Sequence, residues 1–344
     1  MNMKNGMILA AVASLLTTAY AEKYEANWES LDKRPTPQWW RDAKFGIFIH
    51  WGVYAVPAYA PTDEASVDMC YSEHYHHRML QKIPAFLEFN RTFNGDRPYG
   101  DYAADFTAEH FDAKKWAALF RKAGARYAVL TSKHHEGYCL WPSKYSPNWN
   151  AVDTGPHRDL LGDLTDAVRA RGLKMGYYYS LLEWFHPLYT PETLDSYIDQ
   201  HEFPQMKELV ESYRPDILWT DGEWDYTSAR WRSVEFIQWL YNESSVRGTV
   251  AINDRWGSET RSLHGGYYTT EYDLVHSGDA NDMAFKKPWE ECRGIGGSFG
   301  FNRHEYLDEY STSEQLVHIL INKVARGGNL LLNVGPKPDG TIPE

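Results

Sequence analysis

The run Arg214-Pro215-Asp216-Ile217-Leu218-Trp219-Thr220-Asp221-Gly222-Glu223-Trp224 reads as a buried strand that ends in a carboxylate followed by glycine. Glycine permits a sharp backbone turn there, which leaves Asp221 facing whatever cavity the strand end borders. Alone, an aspartate so placed serves equally as a loop turn or a helix N-cap. Opposed by a second carboxyl from another strand end, it becomes half of a pair able to cleave a glycosidic bond. The two groups then stand about 5–5.5 Å apart for retention at the anomeric carbon, and wider for inversion.

Histidines form a second constellation. His50 closes Phe45-Gly46-Ile47-Phe48-Ile49-His50-Trp51-Gly52, and His134 and His135 lie in Leu130-Thr131-Ser132-Lys133-His134-His135-Glu136-Gly137. Imidazoles at strand ends donate hydrogen bonds to sugar hydroxyls or bind metal. Neighbours in an extended strand face opposite ways, so His134 and His135 are not expected to share an ion, and no metal site is predicted. His74, His76 and His77, in Glu73-His74-Tyr75-His76-His77-Arg78, are read mainly as a solvated loop or helix face.

These groups need strands to carry them. Short apolar runs at Lys44–His50, Arg126–Ser132, Lys174–Ser180, Asp216–Asp221, Thr249–Asp254, Tyr267–Tyr272 and Asn329–Val334 predict strands. Amphipathic stretches at Ala113–Ala123, Asp159–Arg171, Gln205–Tyr213, Ala229–Tyr241 and Ser313–Ala325 predict helices between them. Strand then helix, repeated, implies parallel strands. Several strands end in polar residues, His50, Ser132, Ser180, Asp221 and Asp254. In a (β/α)8 barrel such ends line the active-site face. The pattern calls for one more helix after Asn329–Val334, and the chain reaches Glu344 first.

Composition narrows the partners. A net charge of −12 argues against nucleic acid and against an anionic membrane, both of which need a positive surface. Lys4, an apolar run from Met7 to Leu16 and Ala19-Tyr20-Ala21 predict a signal peptide over residues 1–21, leaving 22–344 as one catalytic domain. A secreted, periplasmic or lysosomal location follows. Three cysteines, Cys70, Cys139 and Cys292, are too few for a disulfide framework and allow at most one pair. Asn90-Arg91-Thr92 and Asn242-Glu243-Ser244 are glycosylation sequons. Aromatics make up 15% of the chain, which suits either a crowded barrel interior or the flat faces of sugars.

Taken together, Trp39-Trp40-Arg41-Asp42-Ala43-Lys44-Phe45-Gly46 through Gly52, Thr131–Gly137, Tyr178-Tyr179-Ser180-Leu181-Leu182-Glu183-Trp184, Trp219–Trp224, Asn253-Asp254-Arg255-Trp256-Gly257 and Asn329–Gly335 resemble, in order, the α-L-fucosidases of glycoside hydrolase family 29. The resemblance spans residues 35 to 340. It implies an irregular (β/α)8 TIM-like barrel of the α/β class and a retaining double displacement with Asp221 as nucleophile. It carries fucose contacts to His50, His134, His135, Tyr179, Trp219 and Arg255, with Phe48 and Phe299 as apolar walls. The early substrate loop of the family has Glu-Trp where this sequence has Glu73-His74, a departure at that loop's ring contact. For the acid/base, Glu271 in Tyr268-Thr269-Thr270-Glu271-Tyr272 matches the family's Thr-x-Glu-Tyr segment, and Glu290 in Pro288-Trp289-Glu290-Glu291-Cys292 is the rival. Members commonly continue into a C-terminal β-sandwich for which this sequence has no region, so the barrel is read as cut short.

The expected substrate is a fucosylated oligosaccharide or glycoprotein, hydrolysed without metal or organic cofactor while Glu271, held protonated by its surroundings, protonates the leaving oxygen. Two alternatives stand beside it: a hydrolase of another sugar, separable by its response to aryl β-D-galactoside, and a catalytically silent fucose-binding protein, which would release no fucose.

Overall fold

A computed structural model describes residues 23–62, 67–273 and 287–343. The predicted signal peptide, residues 1–21, lies outside them. Eight strands form one parallel sheet: β1 Phe45–Ile49, β2 Tyr127–Lys133, β3 Lys174–Ser180, β4 Ile217–Asp221, β5 Ala251–Ile252, β6 Tyr268–Glu271, β7 Trp289–Gly294 and β8 Asn329–Val334. Their order is β5-β4-β3-β2-β1-β8-β7-β6. The sheet curls into the expected TIM-like barrel, whose two end strands, β5 and β6, are not laddered to each other. Across that seam Tyr267 N donates to Ile252 O at 3.1 Å. The Asp254 carboxylate accepts from Thr269 N and Oγ1 at 3.1 and 2.7 Å.

Strand alternation sorts the buried residues into two shells. Phe48, Val129, Tyr178, Ile217, Trp219 and Leu331 pack together inside the barrel. Ile49, Leu130, Tyr179 and Leu218 point outward, against helices that include Ala113–Lys122, Leu160–Ala170 and Phe203–Tyr213. Those helices begin where side chains can satisfy their free amides: Asp112 accepts from Lys114 N and Lys115 N, and Asp159 accepts from Gly162 N. Leu164 of the outer shell is fully buried, so its truncation to alanine would cost about 2–5 kcal/mol.

Strand β7 is the element that apolar periodicity did not predict, because Trp-Glu-Glu-Cys-Arg-Gly has adjacent glutamates. Both are fully buried and satisfied by specific partners. Glu291 accepts from Thr270 Oγ1 and from Arg293 Nε. The expected strand Thr249–Asp254 shortens to two residues. Asn253 then continues the pairing with its side chain, as its Nδ2 donates to Thr220 O at 2.8 Å and its Oδ1 accepts from Thr220 Oγ1 at 2.9 Å. After β8 the chain crosses the start of the helix Ala113–Lys122, where Ala108 N and His110 N donate to Pro338 O and Asp339 O.

Cys139 and Cys292 are buried free thiols. Asn90 is also buried, accepting from the Tyr75 and Tyr102 hydroxyls, so the folded chain does not present that sequon. No helix among the described residues is long and apolar enough to cross a membrane.

Candidate active site

Within β4, Ile217 and Trp219 face the barrel interior, and alternation gives Asp221 the same side at the strand's C-terminal end. Gly222 follows with φ +74, and a Cβ there would meet Leu182 Cγ at 2.9 Å and Ser180 Oγ at 3.0 Å. Only glycine therefore makes the turn without strain. Asp221 Oδ1 accepts from Arg255 Nη1 at 2.8 Å and Oδ2 from Tyr178 Oη at 3.0 Å, with Arg261 Nη2 3.5 Å from Oδ1. Burial alone would raise this carboxyl, but Arg255, Arg261 and Tyr178 outweigh it and hold the group down at about 2. Asp221 is an anion throughout the neutral range.

Arg255 lies just beyond β5, 2% exposed. Its guanidinium carbon is 4.4 Å from the centre of the Trp219 ring, and its Nε donates to Thr269 Oγ1 at 3.0 Å. While Nη1 holds Asp221, Nη2 donates to Glu271 Oε2 at 3.1 Å. One planar fork thus spans two carboxylates on opposite sides of the seam. It holds the two carboxyls as neighbours across the seam, each one hydrogen bond from the same guanidinium. Glu271 Oε1 accepts from Tyr71 Oη at 2.7 Å.

The two carboxyls border a cavity of about 210 Å³, smaller than the roughly 300–1,000 Å³ of drug-sized sites. Phe48, Trp219 and Phe299 supply apolar wall, and His50, Glu73, His74, His134 and His135 supply polar atoms. Neighbouring groups fix two of the imidazole tautomers. Asn333 donates its Nδ2 to Phe299 O, so its Oδ1 accepts from His50 Nδ1 at 2.7 Å. Ser180 donates to Leu182 O, so its oxygen accepts from His135 Nδ1 at 2.6 Å. Both rings thereby keep the Nε2 lone pair available to accept from a hydroxyl. Burial holds His50 and His134 down at about 3, and His74 and His135 well below their usual range. Burial likewise lifts Glu73 to about 7 against hydrogen bonds from Gly300 N and Ser298 Oγ.

A small pocket with two bridged carboxyls, neutral acceptors and an apolar wall suits displacement at the anomeric carbon of one sugar ring. A family profile described as Alpha-L-fucosidase matches residues 11–344. The chain belongs to the α-L-fucosidase family. It is 41% identical to human tissue α-L-fucosidase over 98% of this chain and 70% of that protein. It is also 41% identical to the Dictyostelium discoideum α-L-fucosidase over 98% of this chain and 73% of that one. The crystal structure of Thermotoga maritima α-fucosidase superposes with a TM-score of 0.78 at 42% identity, covering 94% of this chain and 74% of that one. The same enzyme in complex with fucose gives 0.78 at 40% identity, over 93% and 73%.

Against the family expectations, the pocket brings together Phe48, His50, Glu73, His74, His134, His135, Trp219, Asp221, Arg255, Glu271 and Phe299. Two residues fall elsewhere. Tyr179 is a correction: its side chain points out of the barrel, where its hydroxyl donates to Gln205 Oε1 at 2.8 Å and its ring stacks under Lys133 Nζ. Tyr178 pairs in register with Trp219 and, sharing its face, is the tyrosine of this fucosidase-family pocket. Glu290 lies beneath the pocket, fully buried, accepting from Tyr127 Oη and from Trp219 Nε1 at 3.0 Å. Burial lifts it to about 7, but it does not border the cavity.

The tract around His76 is likewise not a solvated face. His76 is buried between Tyr99 and Phe185, and His77 stacks on Trp184 at 4.7 Å. Besides Tyr178, sequence reasoning missed Tyr71, Arg261, Trp224 and Cys292 at the pocket. Strand register would have found Tyr178. Tyr71 and Arg261 sit in irregular segments with no periodic signal.

Proposed function

We propose that this chain is a retaining exo-α-L-fucosidase that removes terminal fucose from oligosaccharides or glycoproteins, with Asp221 as nucleophile and Glu271 as acid/base. The reading is carried by the single guanidinium of Arg255 joining those two carboxyls at the mouth of a cavity that fits one sugar ring. The small volume of the cavity, about 210 Å³, supports exo action, because it admits about one ring. Asp221 attacks the anomeric carbon as Glu271 gives its proton to the leaving oxygen. Glu271 then takes a proton from water, which hydrolyses the fucosyl ester. His50 and His135 accept from ring hydroxyls through Nε2, and Phe48 and Phe299 cover the apolar edge of the sugar. Export with removal of residues 1–21 accords with relatives described as tissue and plasma fucosidases.

Proton NMR of the reaction on 4-nitrophenyl α-L-fucoside tests the stereochemistry. α-L-Fucose should appear first and mutarotate afterwards, whereas initial β-L-fucose would overturn the double displacement. An aryl β-D-galactoside should be hydrolysed far more slowly.

The two neighbouring tyrosines give a second test. Tyr178→Phe removes a hydrogen bond to the charged form of Asp221, worth about 1.5–3 kcal/mol. We expect kcat/KM to fall by about 10-fold or more. Losing a donor that favours the anion raises the nucleophile's pKa from about 2, so the acid limb should move to higher pH. Tyr179→Phe should leave the pH profile in place and lower stability by about 1 kcal/mol, read as a drop in Tm. The reverse pattern would restore Tyr179 to the site.

A further inference from the structure

His74, His134 and His135 each bring a candidate ligand nitrogen to within 4.8 Å of the others, the one such group among the described residues. The expectation of no shared ion assumed that His134 and His135 continue an extended strand. They do not. The β2–β3 register shifts between Thr131 and Lys133, and Gly137 N donates to His134 O at 3.0 Å to close a turn. With alternation broken, the two rings lie 4.1 Å apart, centre to centre. His74 arrives from the separate turn Ser72–His74, its ring 5.7 Å from that of His135.

The nitrogens are uncommitted enough to bind. Nδ1 of His74 is buried without a hydrogen-bond partner, and so is Nδ1 of His134, which faces Glu136 Oε2 at 3.5 Å. His135 commits Nδ1 to Ser180, so its lone pair is on Nε2, 3.3 Å from the Tyr178 Oη that donates to Asp221 and 3.8 Å from Asp221 Oδ2. We propose that the three imidazoles form a site for a divalent transition-metal ion of the zinc type, and that an ion held there blocks the pocket instead of serving the reaction. Imidazole suits such ions, and three histidines with an open fourth position are a recurrent zinc set. Zn–N distances of about 2.0–2.1 Å put tetrahedral ligands roughly 3.4 Å apart. The nitrogens must therefore close in from a spacing of up to 4.8 Å, His74 being the least buried of the three. An ion on these nitrogens would lie beside Asp221, whose Oδ2 is 3.8 Å from His135 Nε2. The blocking half of the proposal rests on the fucosidase reading; ion binding does not.

Calorimetric titration of ZnCl2 into untagged, EDTA-dialysed protein tests it, with circular dichroism to verify the fold of each variant. One ion per chain should bind, about 10–100-fold or more weaker in His74→Ala and in His134→Ala. L-Fucose should weaken zinc binding to the unsubstituted protein, and zinc should raise the apparent KM for aryl fucoside with kcat unchanged, reversibly with EDTA. No saturable binding up to about 1 mM, or affinity in both folded variants unchanged from that of the unsubstituted protein, would overturn the site. Inhibition that lowers kcat alone would overturn its placement in the pocket. A protein that hydrolyses no fucoside would refute the functional reading, while the titration would still decide the metal site.

Discussion

Asp221→Gly should reduce kcat/KM on aryl α-L-fucosides by about 10⁴-fold or more, the scale seen when a nucleophile is removed. The fold should survive, because each arginine that Asp221 touches keeps another carboxylate: Arg255 holds Glu271 and Arg261 holds Glu223. A small external nucleophile fits the space the side chain vacates. Azide should therefore restore part of the rate on an activated fucoside. It attacks from the face that Asp221 used, so the product should be β-L-fucosyl azide, identified by NMR. Full activity of the folded variant would remove the assignment.

The second large effect separates the two glutamates. Glu271→Ala should lower activity on an unactivated fucosyl disaccharide by about 10²–10⁴-fold, the usual worth of general acid–base catalysis. A dinitrophenyl fucoside, whose leaving group needs no proton, should lose far less. Azide should accelerate this variant too, but by intercepting the fucosyl-enzyme, so the α-L-fucosyl azide should form. Glu290→Ala should act through stability instead. It strands the buried Tyr127 hydroxyl and Trp219 indole N–H that now share its carboxylate, each about 1–3 kcal/mol if unsatisfied. Its effect should not depend on the leaving group. Leaving-group dependence confined to Glu290→Ala would reverse the two roles.

Much of the barrel was legible because its signals are local. Apolar runs ended by polar residues marked β1 to β4, and Asp221-Gly222 declared a carboxylate at a turn. Of the polar strand ends, His50 and Asp221 reach the pocket. Ser180 buttresses His135, Ser132 donates to Tyr178 O, and Asp254 seals the seam. Legibility failed where the third dimension decides. Tyr178 and Tyr179 are identical in type, and only the pairing of Tyr178 with Trp219 tells inside from outside. Strand β7 hides behind Glu290 and Glu291, whose burial is tolerable only because distant partners meet them. The side chains of His134 and His135 follow a register shift between Thr131 and Lys133, beyond which alternation no longer sorts them. Arg261 and Tyr71 meet Asp221 and Glu271 across sequence separations of 40 and 200 residues, beyond the range of any local pattern.

The gap between β5 and β6 has a mechanical meaning. In a laddered barrel, the spacing of two groups on adjoining strands is dictated by the peptide repeat. Here Asp221 and Glu271 stand on either flank of the unladdered edge, so the distance between them is gauged by one arginine side chain spanning the break. Arg255 is then a ruler as much as a charge. Lysine, with a single point of attachment in place of a fork, would leave the two acids without a common measure even while keeping the site electrically balanced.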